Sequence, residues 1–300
     1  MALIRTGCPI WTHEQWFGSL FAANTVKERS LAAYTQHFNS VEGNTSFYHI
    51  PDEKTVMRWA EQVPEDFRFT FKFHRSISHD KKLINIENDV HLFLSRMALL
   101  EDKLGCLMLQ LPASFSPHQL GHLASFIALL PKNLRYAVEV RHLVFFDKSD
   151  NEKALNQLLI ENNINRVIMD TRALFSCPVI GGPANGGPAS RDKIIEDTQR
   201  KKPKVPTHVI ATSETPLVRF VGHPDIQANK PFYSPWIHKT KQWLDEGKSP
   251  YLFFHMPNTF DAPWLAEAFV NDFKESYPEH PISSIALPKN SNNQLDIFGL

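Results

Sequence analysis

Charged side chains stand directly after several short apolar stretches of this chain. Glu42, Lys72 and His74 follow two of these stretches, and Glu139 and Arg141 follow a third. Successive side chains of a strand point to opposite faces, so residues two positions apart point to the same side. Carboxylates and imidazoles transfer protons, and the planar guanidinium group of arginine binds carboxylate or phosphate. The spacing therefore predicts acid/base chemistry on an anionic molecule.

The candidate residues fall into two roles, both at the ends of predicted strands. The predicted acid/base residues are Glu42, Glu139, Asp170 and His74. The predicted substrate-binding residues are Trp11, Asn44, Tyr48, Lys72, Arg75, Arg141, Arg219 and His255. Trp11, Phe47 and Tyr48 would form an aromatic wall, although each aromatic taken alone is more often a core residue. A network of ion pairs that neutralises these charges inside the fold is the alternative to a substrate site.

A metal site is the second enzymatic interpretation of the same residues. Glu42, Glu139, Asp170 and His255 offer oxygen and nitrogen ligands, which divalent metals accept. No two of them have the close spacing of a motif such as HExxH, and the neighbouring cations compete for the same carboxylates. A divalent metal is therefore not favoured, and the cofactor is left open. Cys8 as a nucleophile is weaker still, because a cysteine in such a position is more often packed.

Eight apolar stretches are predicted to be strands, and a helical pattern follows most of them. The strands are expected at 3–7, 38–41, 67–71, 106–110, 136–138, 166–169, 217–222 and 251–254. The helices are expected at 27–37, 51–64, 88–100, 117–130, 151–162, 194–200, 235–245 and 262–273. This alternation predicts an α/β fold, a single (β/α)8 barrel of the TIM type, whose ligands bind at the carboxyl ends of the strands. An open doubly wound sheet is the alternative, but its first turn would be rich in glycine, whereas this chain has GCPIW at 7–11.

Two stretches interrupt the alternation of strands and helices. The glycine- and proline-rich stretch 176–190, SCPVIGGPANGGPAS, follows the sixth strand, so we predict a loop that overhangs the carboxyl end of the barrel. A basic run at 200–204 comes soon after it. We expect one barrel domain over residues 1–278 and an extended, flexible C-terminal tail over 279–300.

Charge and cysteine content narrow the class of protein. Lysine and arginine total 32, as do aspartate and glutamate, and this balance disfavours strong nonspecific binding to nucleic acid. The three cysteines, Cys8, Cys106 and Cys177, are scattered, which indicates a reduced protein without a disulfide framework. No apolar run reaches the roughly 18 residues of a membrane span, and no charged-then-apolar leader is found. We therefore predict a cytoplasmic protein that does not bind membranes.

Several stretches carry a resemblance to a known family. They are GCPIW at 7–11, FNSVEGNTSFY at 38–48, FRFTFK at 67–72, ISH at 77–79, QLP at 110–112 with Phe115, VEVRH at 138–142, RFVG at 219–222 and YLFF at 251–254. In these stretches the chain resembles the YecE-like proteins of the domain of unknown function 72 family. The resemblance implies a (β/α)8 barrel and no established reaction. Many members carry paired asparagines after the last strand, where this chain has HMPN at 255–258, so no role that depends on those amides is transferred.

The C-terminal tail contains a candidate partner motif. Gln294, Leu295, Ile297 and Phe298 resemble the short peptide with which bacterial proteins bind the sliding clamp. The apolar side chains would fill a groove while the glutamine bonds to its rim. Packing of the tail on its own barrel is the alternative.

Three functions are compatible with these observations. The favoured one is an enzyme that acts on an anionic small molecule, phosphorylated or carboxylated, by acid/base chemistry. A metal-dependent nucleic-acid-processing enzyme linked to the replication clamp is the second. A non-catalytic anion-binding barrel is the third, and it explains the cations better than the carboxylates.

Overall fold

The structure is a computed structural model that describes residues 3–178, 191–280 and 282–288. Its strands are β1 (Arg5–Gly7), β2 (Ser40–Gly43), β3 (Arg68–Lys72), β4 (Leu104–Gln110), β5 (Arg135–Glu139), β6 (Asn165–Arg166), β7 (Ile168–Asp170), β8 (Leu217–Val221) and β9 (Tyr251–His255). They form two parallel sheets, ordered β1-β9-β8-β7 and β2-β3-β4-β5-β6. The predicted α/β class is confirmed, while the strand pairing describes two sheets and not one closed barrel.

The two sheets approach each other at both pairs of edges. Only Val167 separates β6 from β7 along the chain. At the opposite edges, the Glu42 N–H donates a hydrogen bond of 3.0 Å to the carbonyl oxygen of Cys8, directly after β1. The side chain of Asn39 also accepts a hydrogen bond of 2.8 Å from the Thr6 N–H. The ends of the two sheets are therefore adjacent.

Helices follow most strands of the described chain. They are α1 (Ser30–Tyr34), α2 (Glu53–Glu61), α3 (Glu87–Met97), α4 (Leu120–Ala128), α5 (Asp150–Glu161), α6 (Arg172–Ser176), α7 (Arg191–Lys201), α8 (Lys230–Asp245) and α9 (Ala262–Ser276). All except α6, a short helix after β7, overlap the helices expected from the sequence. None of these described helices combines the length and the apolar character that a membrane crossing requires.

Local sequence explains where the helices begin and which face they bury. The carboxylate of Asp52 accepts a hydrogen bond of 2.8 Å from the backbone of the first turn of α2, which satisfies a donor that the helix leaves free. In α3 the buried residues are Val90, Phe93 and Met97, spaced for one helical face. The Phe93 ring lies 4.8 Å from that of Phe73, just beyond β3, so this face covers the sheet.

Alternation along β3 separates a packed face from a polar one. The Phe71 ring stacks on Trp59 of α2 with centroids 5.3 Å apart, and it also stacks on Phe69. Thr70 and Lys72 therefore point to the other side of the sheet, away from α2. Both are buried, so the end of β3 carries a lysine into the interior.

A separate buried cluster lies on this inner side of the strands. Its members are Cys106, Met108, Ala137, Val167, Leu217, Tyr251 and Phe253. Four polar residues, Gln110, Glu139, Arg219 and His255, each lie two positions after a member of this cluster. Because the direction of side chains repeats every two residues in a strand, these four polar residues face the same way as the cluster and lie one layer closer to the carboxyl ends. Glu42, bonded to Arg219, and Lys72, bonded to Gln110, complete this polar layer, which is the floor of the candidate site.

The described part of the predicted tail packs against α9. The Leu287 N–H donates to Glu267 at 2.8 Å, and the Trp264 indole N–H donates to the Pro288 carbonyl at 2.9 Å. Ile285 is buried. The clamp-like residues Gln294, Leu295, Ile297 and Phe298 lie outside the described residues, and so does 179–190, most of the glycine- and proline-rich stretch.

Candidate functional site

Arg219 of β8 is the centre of the polar layer. Its Nε and Nη2 donate to the two carboxylate oxygens of Glu42, each at 2.8 Å. Its Nη1 donates to Glu139. Burial by itself would lower the pKa of Arg219, but Glu42 and Glu139 outweigh it and raise that pKa above its ordinary value. The guanidinium is therefore a permanent cation between two carboxylates.

The two carboxylates of this layer are held in their ionised form. Burial would raise the pKa of Glu42, but Arg219 and then His255 outweigh it and hold that pKa well below its usual range. Burial would likewise raise the pKa of Glu139, but Arg219 and Arg141 outweigh it and lower that pKa to about 2. A group exchanges protons effectively only when its pKa is near the working pH. In this arrangement both carboxylates act as fixed negative charges.

Lys72 is the group of the layer that titrates near neutral pH. Its Nζ donates a hydrogen bond of 2.8 Å to Gln110 Oε1 and lies 3.8 Å from Glu42 Oε1. Burial, followed by repulsion from Arg219, lowers the pKa of Lys72 to about 7. The ammonium also lies 6.0 Å from the centre of the Phe47 ring. Among the residues of this layer, its pKa suits proton transfer best.

His255 faces Glu42 from the end of β9. The His255 Nε2 atom lies 3.2 Å from Glu42 Oε2, and burial lowers the pKa of His255 to about 3. The imidazole is therefore neutral at physiological pH. Because the ionised Glu42 can only accept a hydrogen bond, Nε2 carries the proton and donates it.

A cavity of about 480 Å³ opens above this layer. Five cationic side chains of the described chain line it: Lys72, Arg141, Lys201, Lys202 and Arg219. No aspartate or glutamate of the described residues does so. Glu42 and Glu139 lie behind Arg219, so the cavity wall presents positive charge. Phe47 and Tyr48 add aromatic surface to the wall.

Arg141 and Asn44 are held in place at the rim of the cavity. Arg141 Nε donates to Glu139 Oε1 at 2.7 Å, and its side chain is 20 % exposed. Asn44 Nδ2 donates to the Pro9 carbonyl at 2.9 Å, which leaves its amide oxygen for a ligand. Both residues line the cavity.

Lys202 is a cavity residue that the sequence reasoning did not select. It follows α7 and is half-buried. Burial lowers the pKa of Lys202, and repulsion from Arg219 lowers it further, to about 8. It belongs to the basic run at 200–204. The signal that could have identified it is the position of that run after a stretch predicted to overhang the strand ends.

Two predicted acid/base residues lie apart from the cavity. The buried Asp170 accepts hydrogen bonds from Arg172 at 2.9 and 2.7 Å and from the Trp236 indole at 2.8 Å. His74 contacts the Ser76 hydroxyl at 2.9 Å through Nδ1. Neither residue is among those that line the cavity.

Two predicted substrate-binding residues also lie elsewhere. Trp11 packs in the aromatic core, with its ring 5.2 Å from that of Trp59. Arg75 is exposed and pairs with Asp80 at 3.1 Å. The other predicted binding residues, Asn44, Tyr48, Lys72, Arg141, Arg219 and His255, all line the cavity.

The described residues show no cluster of metal ligands. Within 3–178, 191–280 and 282–288, no three His, Cys, Asp or Glu side chains are placed together to hold a metal ion. Of the carboxylates named as metal candidates, Glu42 and Glu139 are instead bonded to Arg219, and Asp170 is bonded to Arg172.

Fold and site together define an α/β protein of parallel strands with a cationic cavity at the strand ends. Comparison with known families places it more narrowly. Residues 5–291 match the family described as "Protein of unknown function DUF72". The chain belongs to this family.

Curated relatives and solved structures agree with this assignment. The UPF0759 protein YecE of Escherichia coli strain K12 is 38% identical over 291 residues, which is 97% of this chain and 99% of YecE. The UPF0759 protein YunF of Bacillus subtilis is 24% identical over 167 residues, covering 50% of this chain and 55% of YunF.

Two solved DUF72 proteins share the fold. The crystal structure of a family member from Enterococcus faecalis V583 has a TM-score of 0.68 at 21% identity, covering 96% of this chain and 99% of its own. That of a member from Thermotoga maritima MSB8 has a TM-score of 0.66 at 20% identity, covering 92% of this chain and 100% of its own.

Proposed function

We propose that the protein is an enzyme that binds an anionic small molecule, phosphorylated or carboxylated, in the cavity above the polar layer. The observation that carries the proposal is the charge of the cavity wall, where five lysine and arginine side chains and no described carboxylate are exposed to a ligand. Cations gathered around a concave, partly dry site attract anions more strongly than the same charges in water. A volume of about 480 Å³ suits a small metabolite.

The carboxylates have a structural part in this proposal. Glu42 fixes Arg219 through two hydrogen bonds of 2.8 Å, and Glu139 fixes Arg141 at 2.7 Å. A guanidinium that is already oriented loses less conformational freedom when it binds a ligand. The pair of glutamates therefore prepares the arginines for an anion.

We assign the acid/base step to Lys72. Its amine lines the cavity and its pKa, lowered by burial and by Arg219, is about 7. Both protonation states are then populated at neutral pH, as a general acid or base requires. Glu42 and Glu139 remain ionised and compensate the charge of the protonated amine.

We also propose that the two sheets close into one (β/α)8 barrel. Counting β6 and β7 as one strand interrupted at Val167 gives eight strands, the number of a TIM barrel. The hydrogen bond from Glu42 N–H to the Cys8 carbonyl supports closure between β2 and the end of β1. The cavity would then lie at the carboxyl face, where barrels of this type bind their ligands.

Titration calorimetry with inorganic phosphate and with oxalate, at an ionic strength fixed by chloride, tests the binding site. Arg141→Gln removes one cavity cation and leaves Glu139 paired with Arg219. We expect it to weaken anion binding about tenfold to a hundredfold, because a hydrogen bond to a charged group contributes about 1.5–3 kcal/mol.

Arg75→Gln is the matched control for this experiment. Arg75 is exposed, pairs with Asp80 and does not line the cavity. It should leave anion affinity unchanged. Equal loss in both variants, or no heat with either anion at millimolar concentration, would refute the proposed site.

A further inference from the structure

Lys72 is not required as the ion-pair partner of Glu42. The Nζ atom lies 3.8 Å from Glu42 Oε1, whereas Arg219 already bonds both oxygens of that carboxylate at 2.8 Å. A buried charge is costly unless it is closely paired, and the close pair of Glu42 is already made by Arg219. Neutralisation of Glu42 therefore does not account for the burial of this amine.

The contacts of Lys72 leave its lone pair available when the amine is neutral. The close partners of Nζ, Gln110 Oε1 at 2.8 Å and Glu42 Oε1 at 3.8 Å, are both hydrogen-bond acceptors. Gln110 Oε1 accepts one N–H hydrogen of the neutral amine, Glu42 Oε1 lies beyond hydrogen-bond distance, and neither oxygen can donate to the nitrogen. Lys72 also lines the cavity, so an electrophile bound there can reach it.

The protonation state of Lys72 supports the same conclusion. Burial and Arg219 lower its pKa to about 7, so about half of the molecules carry the neutral amine at pH 7. An exposed lysine with a pKa near 10.4 is neutral in fewer than about 0.1% of molecules at that pH. Lysines activated in this way form covalent adducts with carbonyl compounds.

We infer that Lys72 is a covalent site, whose amine forms an iminium with the aldehyde or ketone group of a small anionic carbonyl compound. This inference rests on the proposed anion site, and it gives the Lys72 amine a nucleophilic role in place of the acid/base role proposed above. Arg141 and Lys202 would hold the carboxylate or phosphate of the ligand while its carbonyl carbon faces Nζ. An oxo acid or a phosphorylated aldehyde or ketone is the substrate class that fits.

The atoms of this step balance without an oxidant or a reductant. The ammonium of Lys72 releases one proton, and the nitrogen lone pair forms a bond to the carbonyl carbon. The carbonyl oxygen takes up that proton and a second proton from the same nitrogen, its bond to carbon breaks, and it leaves as water. One hydrogen stays on the nitrogen of the positively charged iminium. Glu42, fixed in its ionised form at 3.8 Å from Nζ, stabilises that charge.

Reductive trapping tests the inference. The intact protein is treated with glyoxylate and sodium cyanoborohydride, and carboxymethylated lysines are then quantified by peptide mass spectrometry. Lys153 of α5, whose side chain is 73% exposed, is the internal reference. We expect modification of Lys72 at pH 7 to exceed that of Lys153 at least tenfold, with a pH–rate profile that inflects near 7. Modification of Lys72 no faster than Lys153, or selective modification of Lys202 instead, would overturn the inference.

Variants connect the label to the amine of Lys72. Lys72→Met should abolish the selective modification, and Lys153→Met should leave it intact. Lys72→Arg retains the positive charge without a nucleophilic amine, and it replaces Lys72→Met if that variant does not fold. Selective labelling elsewhere in the chain that persists in Lys72→Arg would count against the inference.

Inorganic phosphate separates this inference from the proposed anion site. Phosphate that binds by calorimetry while Lys72 stays unmodified overturns the covalent inference alone. Absence of phosphate and oxalate binding overturns the anion site, whatever the labelling shows. Binding of phosphate together with slower modification of Lys72 in its presence supports both.

Discussion

Replacing Arg219 by methionine removes the cation that joins Glu42 to Glu139. The guanidinium is 2% exposed and donates three hydrogen bonds, all to carboxylates that are 0% and 1% exposed. Glu139 keeps Arg141 at 2.7 Å, whereas Glu42 keeps Lys72 only at 3.8 Å. Removal of one partner of a buried ion pair costs about 3–5 kcal/mol. We expect the free energy of unfolding at pH 7 to fall by that amount.

The pH dependence of this loss identifies its cause. Arg219 holds the carboxylates ionised in the wild type, because burial alone would raise the pKa of Glu42 and of Glu139. In Arg219→Met these pKa values should rise, so the carboxylates take up protons as the pH falls and the unpaired charge disappears. Urea unfolding at pH 7 and at about pH 4 should therefore show a smaller difference between variant and wild type at the lower pH.

A surface arginine provides the control for Arg219→Met. Arg75→Met removes a pair with Asp80 in which both side chains are 50% exposed, and such pairs contribute about 0–1 kcal/mol. If Arg219→Met loses less than about 1 kcal/mol, or loses the same amount at both pH values, the account based on buried charge is wrong.

Three further predictions follow from the same structure. Arg219 and Arg141 outweigh burial and lower the pKa of Glu139 from 4.5 to about 2, so Glu139 adds about 3 kcal/mol of stability that is present above pH 4.5 and lost as the pH falls towards 2. Acid unfolding followed by fluorescence should show this loss, and a profile that Glu139→Gln leaves unchanged would contradict it. Gly7→Ala places a Cβ 2.1 Å from the Ser40 carbonyl oxygen and should lower stability by about 1–3 kcal/mol. Exposed Gly121 of α4 has no described atom within 4 Å of an added Cβ, so Gly121→Ala should gain about 0.5–1 kcal/mol, and thermal unfolding that ranks the two glycine variants the other way would refute the steric argument. Duplex DNA should show no salt-dependent binding by fluorescence anisotropy, since the net charge is zero, and a steep salt slope would favour the nucleic-acid alternative.

Alternation along strands predicted part of the site and failed where a strand ends. Glu139 and Arg141 were expected on one side, and their side chains are bonded at 2.7 Å. Lys72 and His74 have the same spacing, yet only Lys72 lines the cavity. β3 ends at Lys72 and β5 ends at Glu139, so His74 and Arg141 both lie beyond a strand, where the two-residue period no longer fixes a side chain. Arg141 stays at the cavity through its bond to Glu139, whereas His74 bonds to Ser76 instead.

The position of a carboxylate at the end of a strand did not predict which side chains bond to it. Asp170 ends β7 as Glu139 ends β5, and the two were given the same role. Arg172, two residues later, and Trp236 of α8 take up the carboxylate of Asp170. Arg172 is a local partner, whereas Trp236 reaches the carboxylate only because α8 packs against this strand end.

The sequence by itself determined the α/β class, the strands and helices, and most of the polar residues that line the cavity, because these follow from local periodicity and composition. Tertiary structure alone decided which charges meet. Arg219 and Glu42 are 177 residues apart in the chain, and Lys202 reaches the cavity from beyond α7. Burial then sets the chemistry, since the environment that keeps Glu42 and Glu139 ionised also lowers the pKa of Lys72 to about 7. Ionisation depends on neighbours and on solvent access, and both exist only in the folded chain.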